Sequence, residues 1–221
     1  VITGADLDTK KSNTLGETVT SIPGVTSSYF GPGVGRPVIR GQDGARVAIL
    51  ANGMASDDVS NVSQDHAVSI EPFLADQIEV IKGPTNLLYG SGAIGGIVNA
   101  ADGRIATAPL DAGLNGRAES RHDNGSNGFT QLLRTDMGGD GYALHADGVY
   151  RDNEDVSGPN GDIANSAVQT RTGAIGASLF GDWGYAGASL SRYLNEYGNP
   201  AEPGDAIDPG VTLNMQQTRF E

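Results

Sequence analysis

The sequence predicts an α+β domain followed by antiparallel strands of a transmembrane β-barrel, with the barrel incomplete over 221 residues. Three observations predict it. Up to about residue 108, short β-branched runs are punctuated by Gly, Pro and Asn. Beyond that point apolar and polar residues alternate with period two over stretches of eight or more residues. The connections between those stretches are alternately short and long, as in barrels with tight turns at one rim and long loops at the other. Period alone also admits a soluble antiparallel sandwich or meander.

Each element has a local signature. Asn13 or Thr14 can cap a helix from Leu15 to about Ile22, where Leu15, Val19 and Ile22 fall at i, i+4 and i+7 and Pro23-Gly24 ends it. Val38-Ile39, Val47 to Leu50, Ile78 to Ile81 and Ile97-Val98 read as strands of a small sheet. Pro72 to Ala75 and Asn86 to Tyr89 read as single helical turns, and Asn52 to Ser69 as a long polar connection.

In the second part Leu114, Gly116, Ala118 and Ser120 share one strand face, while Asn115, Arg117, Glu119 and Arg121 share the other. Tyr142, Leu144, Ala146, Gly148 and Tyr150 likewise oppose His145, Asp147 and Arg151. Phe129 to Met137, Thr170 to Phe180, Tyr185 to Leu194 and Val211 to Glu221 are further strands, though Gln131 and Thr135 share a face with Phe129 and Leu133. Turn residues at 123–125, 138–141 and 181–184 and the longer segments 153–167 and 195–210 separate them. Tyr142, Tyr150, Phe180, Tyr185 and Tyr193 stand at strand ends, where interfacial aromatics belong. Those aromatics, and a charged strand face where a sandwich would keep one face dry, favour the barrel.

Composition narrows the function. No run approaches the roughly 18 apolar residues of a membrane-spanning helix. Without cysteine there are no disulfides and no thiolate metal sites. Fourteen Lys and Arg against 27 Asp and Glu give a net charge of −13, which argues against nucleic acid as a partner. Residues 1–108 hold seven basic and eleven acidic residues, and 109–221 hold seven and sixteen. The two parts therefore do different work.

Catalytic signatures are missing from the sequence. Gly90-Ser91-Gly92-Ala93-Ile94-Gly95 matches the dinucleotide-binding spacing, but that chemistry needs a strand before the glycines and a helix N-terminus after them. Here the expected order is reversed. The glycines are expected to serve positive φ and close backbone packing instead. No nucleophile elbow, zinc-protease helix, phosphate-binding loop or EF-hand occurs. The acidic segment Arg151 to Asp162 has oxygen ligands but no calcium-loop spacing, and His66, His122 and His145 are far apart. The sequence predicts no enzyme.

The stretch Gln77 to Ile105 (QIEVIKGPTNLLYGSGAIGGIVNAADGRI), with Leu15 to Val25 (LGETVTSIPGV) and Arg36 to Gly41 (RPVIRG), resembles the plug domain of TonB-dependent outer-membrane receptors. The resemblance covers most of residues 1–105. It implies a plug (1–108) inside a barrel of about 22 strands, whose first strands occupy 109–221. It further implies residence in the outer membrane of a Gram-negative bacterium, contact with lipid, and energy supplied through a TonB protein. The ligand expected is a metal ion or metal chelate, imported without covalent chemistry and without a resident cofactor. No secretory leader is legible at Val1, as expected of a processed or trimmed chain.

Ser60 to Ala67 (SNVSQDHA), Asp102 to Ile105 (DGRI) and Gln217 to Glu221 (QTRFE) are similar to the zinc-uptake branch of that family. There an adjacent Asp and His in a plug loop bind zinc, which here are Asp65 and His66. A carboxylate and a neutral imidazole suit Zn²⁺, which would need about two further ligands. The histidine-rich external loops of that branch are absent, and 195–210 has acids only. An iron-siderophore receptor remains the alternative within the family, and a soluble β-rich secreted binding module the alternative outside it. Arg36, Arg40 and Arg46 are expected to make plug–barrel contacts with carboxylates such as Glu119 and Asp147, Arg40 foremost. As exposed loop charges they would contribute under about 1 kcal/mol each.

Overall fold

The computed structural model describes residues 1–56, 59–85, 93–201 and 210–221. Its backbone forms two compact units. One comprises Val1–Asp102 with Ala164–Ser166 and Tyr197–Leu213, and the other Gly103–Ile163, Ala167–Glu196 and Asn214–Glu221.

In the first unit the chain runs β1 (Ile2–Thr3), α1 (Gly4–Lys10), α2 (Leu15–Thr18), β2 (Val25–Ser27), β3 (Pro37–Ile39), β4 (Val47–Ala51), β5 (Met54–Ala55), β6 (Gln77–Lys82) and β7 (Gly96–Ala101). Thr14 is the cap of α2. Its hydroxyl accepts the Glu17 N–H at 3.3 Å, and the Glu17 carboxylate accepts back from Thr14 Oγ1 at 3.1 Å and Ser12 Oγ at 2.8 Å. The helix expected to reach Ile22 stops at Thr18. The β-branched run Thr18-Val19-Thr20 resists helical rotamers, and the chain continues in turns closed by Ile22 N–H to Val19 O and Val25 N–H to Ile22 O.

The main sheet has the order β1-β6-β7-β4-β5, with β4 and β7 parallel and the other pairs antiparallel. Leu7 and Leu15 from the helices pack with Ile39, Ile49, Ile78 and Val98 in a core where each is at most 2 % exposed. The turn expected at Pro72 to Ala75 is a 3-10 turn over Pro72–Leu74, whose cap Glu71 accepts the Phe73 N–H at 3.1 Å. The expected turn Asn86 to Tyr89 and the first three residues of the glycine motif lie outside the described residues. The motif leads into β7, a strand rather than a helix. A Cβ on Gly96, at φ 144°, would overlap the Ile81 carbonyl oxygen, so close packing of β7 on β6 requires that glycine.

The second part of the chain contributes β8 (Gly113–Asp123), β9 (Gly128–Gly139), β10 (Tyr142–Asn153), the small hairpin β11 (Val156–Gly158) and β12 (Gly161–Ile163), then β13 (Val168–Gly181), β14 (Gly184–Asn199) and β15 (Val211–Phe220). Six of these form an antiparallel sheet in the order β15-β14-β13-β10-β9-β8, so the α+β domain followed by antiparallel strands is the observed architecture. The hairpin lies in 153–167, where the sequence suggests only a loop.

Register explains the two faces. Leu144 stands opposite Met137 and Ala177, Met137 opposite Leu114, Ile175 opposite Ala146, and Leu133 opposite Gly148 and Ala118. Leu114, Leu133, Leu144 and Ile175 share this face and are 73, 61, 42 and 63 % exposed. On the opposite face Ala143, His145, Val149, Arg151 and Asn153 are buried. The exposed face carries leucine and isoleucine, and the buried face places His145 and Arg151 among small and apolar residues such as Ala143, Val149 and Leu132, an unusual distribution for a sheet in water. No helix among the described residues is long and apolar enough to cross a membrane.

Candidate functional site

The segment carrying Asp65 and His66 is shaped by local bonds. A 3-10 turn over Val59–Asn61 is extended by Ser63 N–H to Val59 O at 3.0 Å and His66 N–H to Ser63 O at 3.3 Å. The Ser63 hydroxyl donates to the Asp65 carboxylate and holds its pKa below the ordinary value, against a smaller opposing effect of burial. Both side chains are half-buried.

Residues far along the chain then fasten this segment within the same compact unit. Asn199 Nδ2 donates to the Asp65 carbonyl at 2.8 Å, and the Ala67 N–H donates to the Tyr197 hydroxyl at 2.9 Å. Tyr197 is 1 % exposed. Asn165 Nδ2 donates to Asn199 O at 2.9 Å, and Thr212 Oγ1 donates to Asn165 Oδ1 at 2.8 Å. Asn199 Oδ1 is buried without a partner among the described residues, leaving an acceptor beside the Asp65 backbone. Sequence reasoning missed Tyr197, Asn199, Asn165 and Thr212, since nothing in NEYGN signals a return to residue 65.

Asp65 and His66 are adjacent, as the sequence requires, but two ligands fall short of the four that zinc takes. Among the described residues no group of three or more His, Cys, Asp or Glu is arranged to hold a metal ion. Asp57, Asp58, Glu202, Asp205 and Asp208 lie outside the described residues.

The three plug arginines occupy different settings. Arg36 is 1 % exposed; its guanidinium donates to Gly44 O at 3.1 Å, Val47 O at 2.8 Å, Asn61 Oδ1 at 2.8 Å and Ser60 Oγ. Those bonds tie the chain before β3 to the 3-10 turns at 44–46 and 59–61. Arg40 is exposed at φ 50°, with its backbone N–H donating to Gly24 O at 2.9 Å. Arg46 is exposed, and its carbonyl accepts the Gly95 N–H at 2.8 Å.

The carboxylates suggested as their partners are met by other cations. Glu119 pairs with Arg121. Asp147, 1 % exposed at its side chain, accepts from Arg104 Nε at 2.8 Å and Nη2 at 3.3 Å. His145 Nε2 lies 2.9 Å from Asp147 and its Nδ1 2.7 Å from Asp136, which also accepts from Arg134 Nε at 2.9 Å. The β9–β10 register places His145 opposite Asp136 and Asp147 opposite Arg134. The sequence did place Asp147 and His145 on a polar face; Arg104 entered only within the family-like run DGRI, with no partner assigned to it.

Comparison with known proteins agrees with this architecture. Residues 1–97 match the TonB-dependent receptor plug domain. Among solved structures, the FrpB iron transporter from Neisseria meningitidis is 16 % identical, with all of this chain and 36 % of that one covered and a TM-score of 0.79. The hemophore receptor HasR of Serratia marcescens, solved as a double mutant with its hemophore HasA and heme, is 17 % identical over 99 % of this chain and 34 % of that one, with a TM-score of 0.76. The copper transporter OprC is 23 % identical over 84 % and 28 %, with a TM-score of 0.71. At these identities the likeness is one of fold, and the chain spans about a third of the length of each structure. Residues 1–97 thus match the plug domain of TonB-dependent receptors, and the whole chain, strands included, shares the fold of about a third of structures such as HasR.

Proposed function

We propose that this chain is the plug and first barrel strands of a TonB-dependent outer-membrane receptor that imports a metal ion or metal chelate through rearrangement of the plug. The observation that carries this reading is the joining of a plug-like domain to a sheet that exposes leucine and isoleucine on one face while it buries His145 and Arg151 on the other. Lipid is the solvent such a sheet fits. Cargo would bind at the segment Ser63–Ala67, and TonB would pull on the N-terminal end.

Asp65 and His66 support free zinc as cargo, a carboxylate and a neutral imidazole being zinc ligands. A second reading, an organic chelate, has its own support. Tyr29, Phe30, Val59 and Val62 are 62, 42, 54 and 91 % exposed, and Arg36 binds the two segments that carry them together through Ser28 Oγ, Ser60 and Asn61. Apolar and aromatic groups suit a chelate framework that brings its own metal ligands. Calorimetric titration of the full-length receptor with zinc, beside the Asp65→Ala/His66→Ala variant, separates the two. Lost zinc affinity in the variant supports the zinc site; equal affinity removes both residues from it. Metal-dependent growth that persists without TonB would overturn the import reading.

A further inference from the structure

Gly103 stands where the chain first passes from one unit to the other, and it is flanked by two clasps of opposite allegiance. On one side, Asn52 Nδ2 donates to Asp102 Oδ1 at 3.1 Å and the Asp102 N–H donates to Asn52 Oδ1 at 3.1 Å, so Asp102 is held to the β4–β5 turn. On the other side, Arg104 is held to Asp147 on β10 by two bonds. Gly103 itself is exposed at φ 69°, a conformation that side-chain-bearing residues resist.

The strand wall is shaped to receive Arg104 and Ile105. A Cβ on Gly176 of β13 would overlap the Arg104 carbonyl oxygen, and a Cβ on Gly187 of β14 would meet Ile105 Cγ2. Two glycines on neighbouring strands thus form a slot for the backbone of Arg104 and the side chain of Ile105. The charges at its floor are matched in series: Arg104 and His145 face Asp147, His145 also faces Asp136, and Arg134 completes the row. A buried carboxylate left without its cation is costly, so Asp147 gives Arg104 a reason to stay.

The geometry points to a latched hinge: Gly103 is the pivot, and Arg104, seated in the glycine slot and bonded to Asp147, anchors the chain so that displacement of residues 1–102 ends at Gly103. Arg104 is a positioning residue and touches no cargo. The inference rests on import by plug rearrangement for its purpose, but the latch is a property of the resting protein and is measured without cargo or TonB.

Residues 1–221 contain no cysteine, so a single cysteine placed among them reports cleanly once any cysteine in the rest of the receptor is replaced. In the full-length receptor in outer membranes, Ala106→Cys is labelled with a maleimide, with Ala75→Cys, 2 % exposed in the first unit, as the control for global loosening. Arg104→Ala should raise the labelling rate at 106 about ten-fold, in line with loss of charge-assisted hydrogen bonds, and leave 75 unchanged. Gly176→Ala should do the same with every charge in place, and it carries the test if Arg104→Ala does not assemble. Unchanged labelling at 106 in the assembled variants overturns the latch. An equal rise at 75 and 106 overturns it as well, and neither result bears on whether the receptor imports metal.

Discussion

Residues 1–102 and the six-stranded sheet solve opposite burial problems with the same backbone pattern. In the first region Leu7, Leu15, Ile49 and Ile78 are inside, and the strands alternate toward an apolar core. In the second, Leu133 and Ile175 are outside while His145 and Arg151 are inside. The first arrangement excludes water from a dry interior; the second turns hydrocarbon outward, as strands that face lipid do, and keeps ion pairs for the buried face. Alternation therefore says that a strand has two faces, and the chemistry of the buried face says which solvent lies on the other.

Four measurements break or sharpen that contrast. The largest effect is expected in the dry core. Ile78→Ala, at a fully buried site, should cost about 2–5 kcal/mol of stability, read as a lower denaturation midpoint of the first region in the full-length receptor. Leu133→Arg should cost ~2–4 kcal/mol if the site lies near the bilayer midplane. Reversible unfolding from lipid vesicles measures it, and a neutral result would show that this face does not meet lipid.

Tyr197→Phe should be milder. It leaves the Ala67 N–H without its acceptor, at about 1–3 kcal/mol, and faster hydrogen exchange at Ala67 with unchanged exchange along β6 is the expected signature. The smallest effect concerns Asp65. Its depressed folded pKa contributes stability above the unfolded value of about 3.9, and the contribution vanishes as pH falls through the lower folded value. The Asp65 contribution should thus be constant across the neutral range and be lost only in acid. Ser63→Ala should move the Asp65 midpoint upward toward the ordinary value, and an unmoved midpoint would show that the Ser63 hydroxyl is not what depresses it.

Part of what local physics determines was legible in the sequence, though the stop of α2 at Thr18 and the β4–β5 and β11–β12 hairpins were not. Leu114 to Ser120 and Tyr142 to Tyr150 alternate because the pleat has period two, so those strands and their faces can be read from residue order alone. A cap at Asn13 or Thr14 was recognisable because a short polar side chain before an apolar run accepts from a free N–H at the start of the helix, and the structure places it at Thr14. Long-range register was not legible. That His145 lies between Asp136 and Asp147 depends on the two-residue turn Asp140-Gly141, and a slip of one residue would turn His145 to the other face. That Asn199 meets Asp65 depends on a closure of 134 positions, which no spacing rule encodes. Arg36, Arg40 and Arg46 look alike in RPVIRG and GAR, yet one is buried among carbonyls and two are exposed; only packing distinguishes them.

Asn52 illustrates how much one amide can carry. With φ 52° at Asn52 and 81° at Gly53, the pair is a two-residue hairpin connection between β4 and β5, the sort that Asn-Gly favours because both positions need left-handed backbone. The same amide clasps Asp102. Asn52→Gly would keep the turn and cut the clasp, whereas Asn52→Asp would keep a turn-forming side chain and set one carboxylate against another. Comparing the two separates the fold of the hairpin from its grip on the end of the plug, a distinction that no deletion of the loop could make.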